Sequence, residues 1–377
     1  MRQTASIIST YTADVMGVCS ALFELGGMCI MHDASGCNST YNTHDEPRWY
    51  DFDSMVYISG LSEMEAIMGD DEKLIGDITD AARELSPRFI AVAGTPIPMM
   101  TGTDFDAIAA AIEERTGIPS FGFSTNSMHS YINGVSAAFD ALARRMVKDG
   151  TKQLDTANII GLTPLDFSVN GYAESVKKAV SDGGFRLVSS WAMGDSLNNI
   201  ELAAQASVNL VVSYDGMAAA RTLKERFGTP FVAGVPVGAE FTDKLIGDMK
   251  YAASSGDDIV SFGSFAGGGD IAIIGESIMS CSLAAALMLE HGAKARVICP
   301  LETEPAFLMR NSSAAEDEDD IVPLLNGAAT VIADPLYKPI CGGRRFVSLP
   351  SEAFSGRIYR KDIPDLLRDF NSFRKEV

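Results

Sequence analysis

The stretch ANIIGLTPLDFSVNGYAESVKKAVSDGGFRLVSSW, residues 157–191, decides the fold class. A short β-rich apolar run over 157–162 is followed by a segment of helical periodicity over 169–182 and by a second β-rich run over 185–191. A strand, a helix and another strand in this order are typical of a parallel sheet whose strands are joined by crossover helices. The stretch therefore predicts an α/β unit.

The same alternation continues in the C-terminal direction. The apolar runs VNLVVS (208–213) and PFVAGVP (230–236) predict strands, and the segments 196–205, 214–227 and 239–254 predict helices. Strict alternation of this kind favours a doubly wound sheet.

A comparable block lies on the N-terminal side of the polar linker GTKQLDT (150–156). Its predicted strands are RFIAVAG (88–94) and IPSFGF (118–123), and its predicted helices cover 131–149 and 103–117, the latter with Thr103 as N-cap.

A third block begins after the glycine-rich stretch SFGSFAGGGD (261–270). Its predicted strands are IAIIG (271–275), ARVICP (295–300), ATVIADP (329–335) and RFVSLP (345–350), with helices over 277–291 and from Pro364 to the end. The three blocks predict three doubly wound Rossmann-like subdomains with mainly parallel sheets around a central cleft. We expect them to cover residues 1–152, 153–262 and 263–377.

The composition excludes several classes of protein. With 46% hydrophobic and 21% charged residues the chain resembles ordinary globular proteins. No apolar run reaches the roughly 18 to 20 residues that span a bilayer. The net charge of −20 repels nucleic acid and anionic lipid. The N-terminus shows no signal-peptide pattern, which predicts a cytoplasmic protein whose six cysteines are reduced and either buried or metal-binding.

Cys37 is the first candidate for a site. It follows the predicted strand MCIMHD (28–33) through the small-residue turn ASG, where an α/β sheet presents side chains to ligands. A thiolate there is suited to a soft metal or an iron–sulfur cluster. A buried free cysteine is the alternative, since one thiolate needs further ligands to complete a site.

Histidines and acids accompany this turn. His32 and Asp33 end the strand and His44 follows shortly after, so that these side chains are candidates for proton transfer near neutral pH. Plain hydrogen bonding at a strand end is the alternative. The segment SGLSEMEAIMGDDEKL (59–74) reads, by itself, as a connecting loop with capping acids.

The glycines of AGGGDIAIIGES precede a strand instead of following it, so the chain lacks the order of a Rossmann fingerprint or of a phosphate-binding P-loop. The triplet Gly275-Glu276-Ser277 lies at a strand-to-helix turn and is a weak candidate for lining a cleft. Cys19 and Cys281 fall in apolar helices, which favours core packing, whereas Cys299 and Cys341 follow strands and stay open.

Together these motifs resemble component 1 of nitrogenase and its relatives, the dark-operative protochlorophyllide reductase catalytic subunits and the nickel-tetrapyrrole reductase of methanogens. HDASGC (32–37) is similar to the family's HGPxGC, whose cysteine is a cluster ligand, and the segment 59–74 is similar to the family's SMTEDAAVFGG region. The middle block and RRFVSLPSEAFSGRI (344–358) match later parts of the family, so the resemblance covers nearly the whole chain.

The resemblance implies a shared cofactor site. Cys37 would be a metal ligand for an iron–sulfur cluster shared between subunits, with further ligands from Cys29, from Asp33 or from a partner. His32, Asp33 and His44 would shape proton delivery. The residues expected around the cofactor are Gly36, Glu63, Gly94 and Thr95.

The chain also departs from the family pattern. Gly94-Thr95-Pro96 stands where cluster-binding members carry a cysteine, and Thr12 or Ala13 stands near another ligand position. The cysteine and histidine that hold the nitrogenase active-site cofactor have no counterpart, which excludes a nitrogenase proper.

The resemblance implies a reductase component that forms a homodimer or a heterodimer with a related subunit. An ATP-dependent iron protein would donate electrons, and ATP would act only through that partner. The substrate would be an unidentified small molecule. The alternatives are a non-catalytic scaffold or carrier for a metal cluster or tetrapyrrole, and a small-molecule-binding protein without redox chemistry.

Overall fold

The structure, a computed structural model, describes residues 12–36, 38 and 46–377. The strands form three separate parallel sheets, each built from one continuous part of the sequence. Within the described residues, no helix combines the length and apolarity that crossing a membrane requires.

The first sheet has the strand order β2-β1-β3-β4, with all neighbours parallel. Its strands are β1 (Met28–Met31), β2 (Met55–Ile58), β3 (Ile90–Ala93) and β4 (Ser120–Phe123). Its helices are α1 (Asp14–Leu22), α2 (Glu63–Met68), α3 (Asp71–Leu85), α4 (Pro96–Thr101), α5 (Phe105–Thr116) and α6 (Tyr131–Arg145). Successive side chains of β1 enter different cores, Cys29 and Met31 one and Met28 and Ile30 the other, as expected for a sheet covered on both faces.

The second sheet has the order β6-β5-β7-β8-β9. Its strands are β5 (Thr156–Leu162), β6 (Arg186–Ala192), β7 (Val208–Val211), β8 (Phe231–Ala233) and β9 (Ile259–Val260). Its helices are α7 (Pro164–Phe167), α8 (Tyr172–Asp182), α9 (Leu197–Glu201), α10 (Met217–Phe227) and α11 (Glu240–Ser255).

The third sheet has the order β12-β11-β10-β13-β14. Its strands are β10 (Ile271–Ile274), β11 (Ala295–Cys299), β12 (Ser313–Ala314), β13 (Thr330–Ala333) and β14 (Arg345–Ser348). Its helices are α12 (Ser277–His291), α13 (Glu318–Leu324), α14 (Glu352–Tyr359) and α15 (Phe370–Phe373).

These three parallel sheets confirm the predicted α/β class with Rossmann-like subdomains. In each sheet the chain first adds strands on one side of the starting strand and then crosses to the other side. The resulting switch points lie between β1 and β3, between β5 and β7, and between β10 and β13. Ligands in doubly wound sheets bind outside the carboxyl ends of the strands at such points. The division of the chain at residues 152 and 262 stays a proposal.

Some predicted boundaries were wrong. The N-cap of α5 is Asp104 instead of Thr103, because the Asp104 carboxylate accepts the Ala107 N–H at 3.0 Å. No helix begins at Pro364, since Asp365 Oδ1 accepts the N–H groups of Leu367 and Arg368 and holds a turn there.

The segment 59–74 was expected to be a plain loop and instead contains α2 and the start of α3. Ser62 Oγ accepts the Glu65 N–H at 3.3 Å, and Glu65 Oε2 accepts the Ser62 N–H at 2.8 Å. This reciprocal capping box satisfies two free donors at the start of a six-residue helix.

Candidate functional site

Side chains at the carboxyl edge of the first sheet join the ends of β1 and β3. Thr95 is fully buried, and its hydroxyl donates to the carbonyl oxygen of His32 at 2.8 Å and to Asp33 Oδ1 at 3.1 Å. Because β1 and β3 flank the switch point, these contacts place His32, Asp33 and Thr95 where a doubly wound sheet presents a ligand site.

Asp33 also holds the turn that follows β1. Asn38 Nδ2 donates to Asp33 Oδ2 at 2.7 Å, and the Asp33 backbone N–H donates to Ser59 Oγ at 3.1 Å. Both carboxylate oxygens therefore have a donor, which suits a positioning role better than a role as a free base or oxygen ligand. Cys37 lies within this turn and outside the described residues.

His32 is a buried imidazole at the same edge. Its Nδ1 lies 2.8 Å from Ser59 Oγ, and its ring meets the Phe105 ring edge-on at 6.3 Å. Burial lowers the pKa of His32, and the charges of Asp33 and Glu65 oppose this shift without reversing it. The imidazole is consequently neutral at neutral pH, with Ser59 as its hydrogen-bond partner.

Of the four residues expected around the cofactor, only Thr95 joins this group. Gly36 and Glu63 are exposed. Gly94 serves packing, since a Cβ there would lie 2.5 Å from the Thr125 carbonyl oxygen and 2.7 Å from the Phe105 ring. His44, like Cys37, lies outside the described residues.

Glu65 is a nearby residue that sequence reasoning missed. It acts electrostatically on His32, and its Oε1 pairs with Lys73 Nζ at 3.1 Å. The signal that was available is the spacing Ser62-x-x-Glu65, the pattern of a capping box.

The described cysteines do not contribute to this edge. All five are buried, and they are Cys19, Cys29, Cys281, Cys299 and Cys341. Burial raises the pKa of Cys29 to about 12, so its thiol stays protonated within the core. Among residues 12–36, 38 and 46–377, no three histidine, cysteine or acidic side chains are grouped to hold a metal ion. These residues by themselves do not fit an iron–sulfur cluster.

The acids and aromatic residues after His44 have a structural role. Arg48 is buried, and it pairs through Nε with Glu46 Oε1 at 2.6 Å and through Nη1 with Glu24 Oε1 at 3.0 Å. Its guanidinium also lies 4.8 Å from the centre of the Phe23 ring. The segment that begins at Glu46 is thereby fixed to the end of α1.

An exposed apolar surface lies on the same edge of the first sheet, where α2 packs against α4. We call it the methionine patch, and it consists of Met64, Ile67, Met68, Ile97, Met99 and Met100, with exposed fractions of 42% to 87%. The exposed acids Glu63, Asp70 and Asp104 lie next to it in sequence. Apolar side chains clustered in this way are typical of protein interaction sites.

Comparisons with known proteins agree with this fold. The model of the family described as "Nitrogenase component 1 type Oxidoreductase" matches residues 14–324. The solved structure "Nitrogenase Cp1 at pH 6.5" superposes with a TM-score of 0.70 at 16% identity, covering 100% of this chain and 93% of that one. At that identity the likeness shows the fold alone.

Three relatives extend the comparison. "Nitrogenase iron-molybdenum cofactor biosynthesis protein NifE" of Clostridium pasteurianum is 29% identical over 54% of this chain and 44% of its own length. A subunit of the light-independent protochlorophyllide reductase of Nostoc punctiforme is 24% identical over 52% and 41%. "Nitrogenase molybdenum-iron protein alpha chain" of Methanosarcina barkeri is 23% identical over 50% and 36%. The chain spans about half the length of the curated relatives it matches.

Proposed function

Because the chain belongs to the family of nitrogenase component 1 type oxidoreductases, we propose that it is a subunit of a nitrogenase-like reductase complex. In this complex it receives electrons from a separate ATP-dependent iron protein and passes them through an iron–sulfur cluster to a small-molecule substrate. The observation that carries the proposal is the turn after β1, which Asp33 and Thr95 hold at the switch point next to the methionine patch.

The cluster is proposed to lie between two subunits. Cys37 is the thiol of this turn, and the five described cysteines are buried elsewhere. Iron–sulfur clusters are usually held by four cysteines, so the remaining ligands come from a second copy of this chain or from a related subunit. When bound, the cluster supplies one-electron transfer. Asp33 and Thr95 orient the turn, and His32 offers a neutral imidazole beside it.

The methionine patch is proposed as the docking surface of the iron protein. The chain has no phosphate-binding loop of its own by sequence, so ATP is used by the partner. Methionine side chains adapt to different partner shapes, and the exposed acids Glu63, Asp70 and Asp104 favour a partner face rich in lysine and arginine. Electrons would then arrive beside the turn that contains Cys37.

Metal analysis tests the cluster directly. The protein is purified without oxygen, and iron and sulfide are measured per chain for the wild type, for Cys37→Ala and for Cys29→Ala. We expect the first substitution to remove the iron and the second to leave it, because the Cys29 thiol is buried and protonated. Unchanged iron in Cys37→Ala would remove that residue as a ligand.

A scaffold or carrier for a metal cluster or tetrapyrrole is the second candidate. It is favoured by the likeness to a cofactor biosynthesis protein and by the small cavity between the sheets, about 60 Å³. Small-molecule sites usually measure about 300–1,000 Å³. Turnover with an iron protein and ATP distinguishes the two, since a scaffold would hold iron without consuming reductant.

A further inference from the structure

A second polar group lies where the three sheets meet, away from the turn after β1. Asp166 follows β5, Asp215 follows β7 and Glu276 follows β10, so all three acids stand at the switch points of the second and third sheets. Tyr131, the first residue of α6, reaches the group from the first sheet. Tyr131, Asp166 and Glu276 line the cavity of about 60 Å³.

The three carboxyl groups differ in their hydrogen bonds. Glu276 is the N-cap of the 15-residue helix α12 and accepts the N–H groups of Ile278 at 3.0 Å and Met279 at 2.7 Å. It also accepts the Tyr214 N–H at 3.0 Å and the Ser277 hydroxyl at 3.1 Å. Four donors and the helix dipole accommodate a negative charge on Glu276.

Asp215 has the opposite surroundings. Its side chain is fully buried, and within the described part of the chain neither of its carboxyl oxygens has a hydrogen-bond partner. Asp166 Oδ1 accepts the Tyr131 hydroxyl, while its Oδ2 is buried and lacks a partner among the same residues. An ionised carboxylate in such a position, without a cation or donors, is too costly to persist, and the group takes up a proton.

The electrostatics of the cluster agree with this geometry. Burial raises the pKa of Asp166 to about 7, and the charge of Glu276 adds to the shift. Burial also raises the pKa of Asp215 well above its usual value, with further contributions from Asp166 and Glu276. Burial and the nearby acids raise the pKa of the Tyr131 hydroxyl, which therefore remains a donor.

We propose that Asp166, Asp215 and Glu276 form a proton store, in which Glu276 is ionised and the two aspartates keep at least one proton at neutral pH. The polar cavity has room for a few water molecules, through which the proton exchanges with solvent. The use of this proton in a reduction rests on the proposed function, whereas its presence does not.

Other titratable groups face the cluster without supplying a positive charge. Tyr172 and Tyr337 line the cavity and have a pKa raised by burial, so they are neutral. Asp334 also lines it and accepts from the Ser355 hydroxyl at 2.6 Å and the Ser351 N–H at 2.9 Å. The thiols of Cys281 and Cys299 feel the charge of Glu276 and are protonated.

Infrared spectroscopy of the full chain tests the proposal, because a protonated carboxyl group absorbs apart from a carboxylate. Wild-type protein labelled with ¹³C-aspartate is compared with unlabelled protein at about pH 7.5, after dialysis against a chelator. We expect an isotope-sensitive band of a protonated carboxyl group in the wild type. We expect Asp215→Asn to remove or weaken it and Asp149→Asn, a change at an exposed acid, to leave it.

The wild-type spectrum keeps the test decisive even if a variant fails to fold. A wild type without a protonated aspartate at that pH would overturn the proposal, as would a metal ion released by the chelator together with fully ionised carboxylates. Iron analysis of the Cys37 variants is a separate measurement, so a failure of the proposed function leaves this result standing.

Discussion

Thr95 is a single residue on which the geometry of the first sheet's carboxyl edge depends. Its hydroxyl contacts the His32 carbonyl oxygen and Asp33 Oδ1 from within the core. A buried acceptor that loses its donor costs about 1–3 kcal/mol. We therefore expect Thr95→Val to lower the free energy of unfolding by about this amount, measured by urea denaturation.

The control for this substitution is Thr151→Val, which makes the same change at an exposed position. It should alter the free energy of unfolding by no more than about 0.5 kcal/mol. Equal effects of the two substitutions would show that the Thr95 hydroxyl does not hold the strand ends.

Strand β5 contains a glycine that the acid cluster requires. Gly161 has φ of 93°, and a Cβ there would lie 2.7 Å from Asp215 Oδ1 and 3.0 Å from the Ser213 backbone nitrogen. Gly161→Ala adds this collision to the strain of a left-handed backbone. We expect its free energy of unfolding to fall by about 1–3 kcal/mol more than the strain accounts for.

Gly184→Ala provides the matched control in thermal or urea denaturation. Gly184 has nearly the same φ, 97°, but a Cβ there would meet no atom within 4 Å. It therefore reports the strain alone. If Gly161→Ala were no more destabilising than Gly184→Ala, Asp215 would not be packed against the β5 backbone.

Helices α2 and α4 present the methionine patch, and a charge placed in it should weaken docking of the iron protein. Met68 is 72% exposed, so Met68→Lys leaves the core intact while it replaces apolar surface with a charge that repels a basic partner. We expect electron transfer from the iron protein to slow at least about tenfold at equal concentrations, which corresponds to about 1.4 kcal/mol of binding.

Met128→Lys is the control for docking, since Met128 is 81% exposed and lies outside the patch. Its electron-transfer rate should match that of the wild type. If Met68→Lys retained the wild-type rate, the iron protein would have to dock elsewhere.

At the scale of the whole molecule, the meeting of three sheets makes stability depend on pH. Burial raises the pKa of Asp166 to about 7 in the folded chain, whereas an unfolded aspartate titrates near about 3.9. Between these values the folded state binds more protons, so the contribution of Asp166 to stability falls as the pH rises. The limit is about 1.4 kcal/mol per pH unit.

Asp166→Asn should remove this slope while its Oδ1 still accepts the Tyr131 hydroxyl. The free energy of unfolding is measured from about pH 5 to pH 8 for wild type, Asp166→Asn and the exposed control Asp149→Asn. We expect the difference between wild type and Asp166→Asn to decrease across that range. A constant difference would show that Asp166 ionises normally in the folded chain.

The sequence by itself determined the α/β class, the three blocks and most strands. Runs such as ANIIGL and VNLVVS are apolar over the length of one strand, and the segments between them carry helical periodicity, so both signals are local. Helix ends were less predictable, because Asp104 and Thr103 are both good caps and only the hydrogen bond to Ala107 selects one.

Only the tertiary structure decided the strand order, the switch points and the residues that meet there. His32, Asp33 and Thr95 could be proposed from their places after strands, but their hydrogen bonds depend on β1 pairing with β3. Asp166, Asp215 and Glu276 are separated along the chain by whole strand–helix units, and periodicity does not report which strands become neighbours. Their shared burial, and the proton it retains, arise from packing three sheets together, which is a property of long-range contacts that no local pattern encodes.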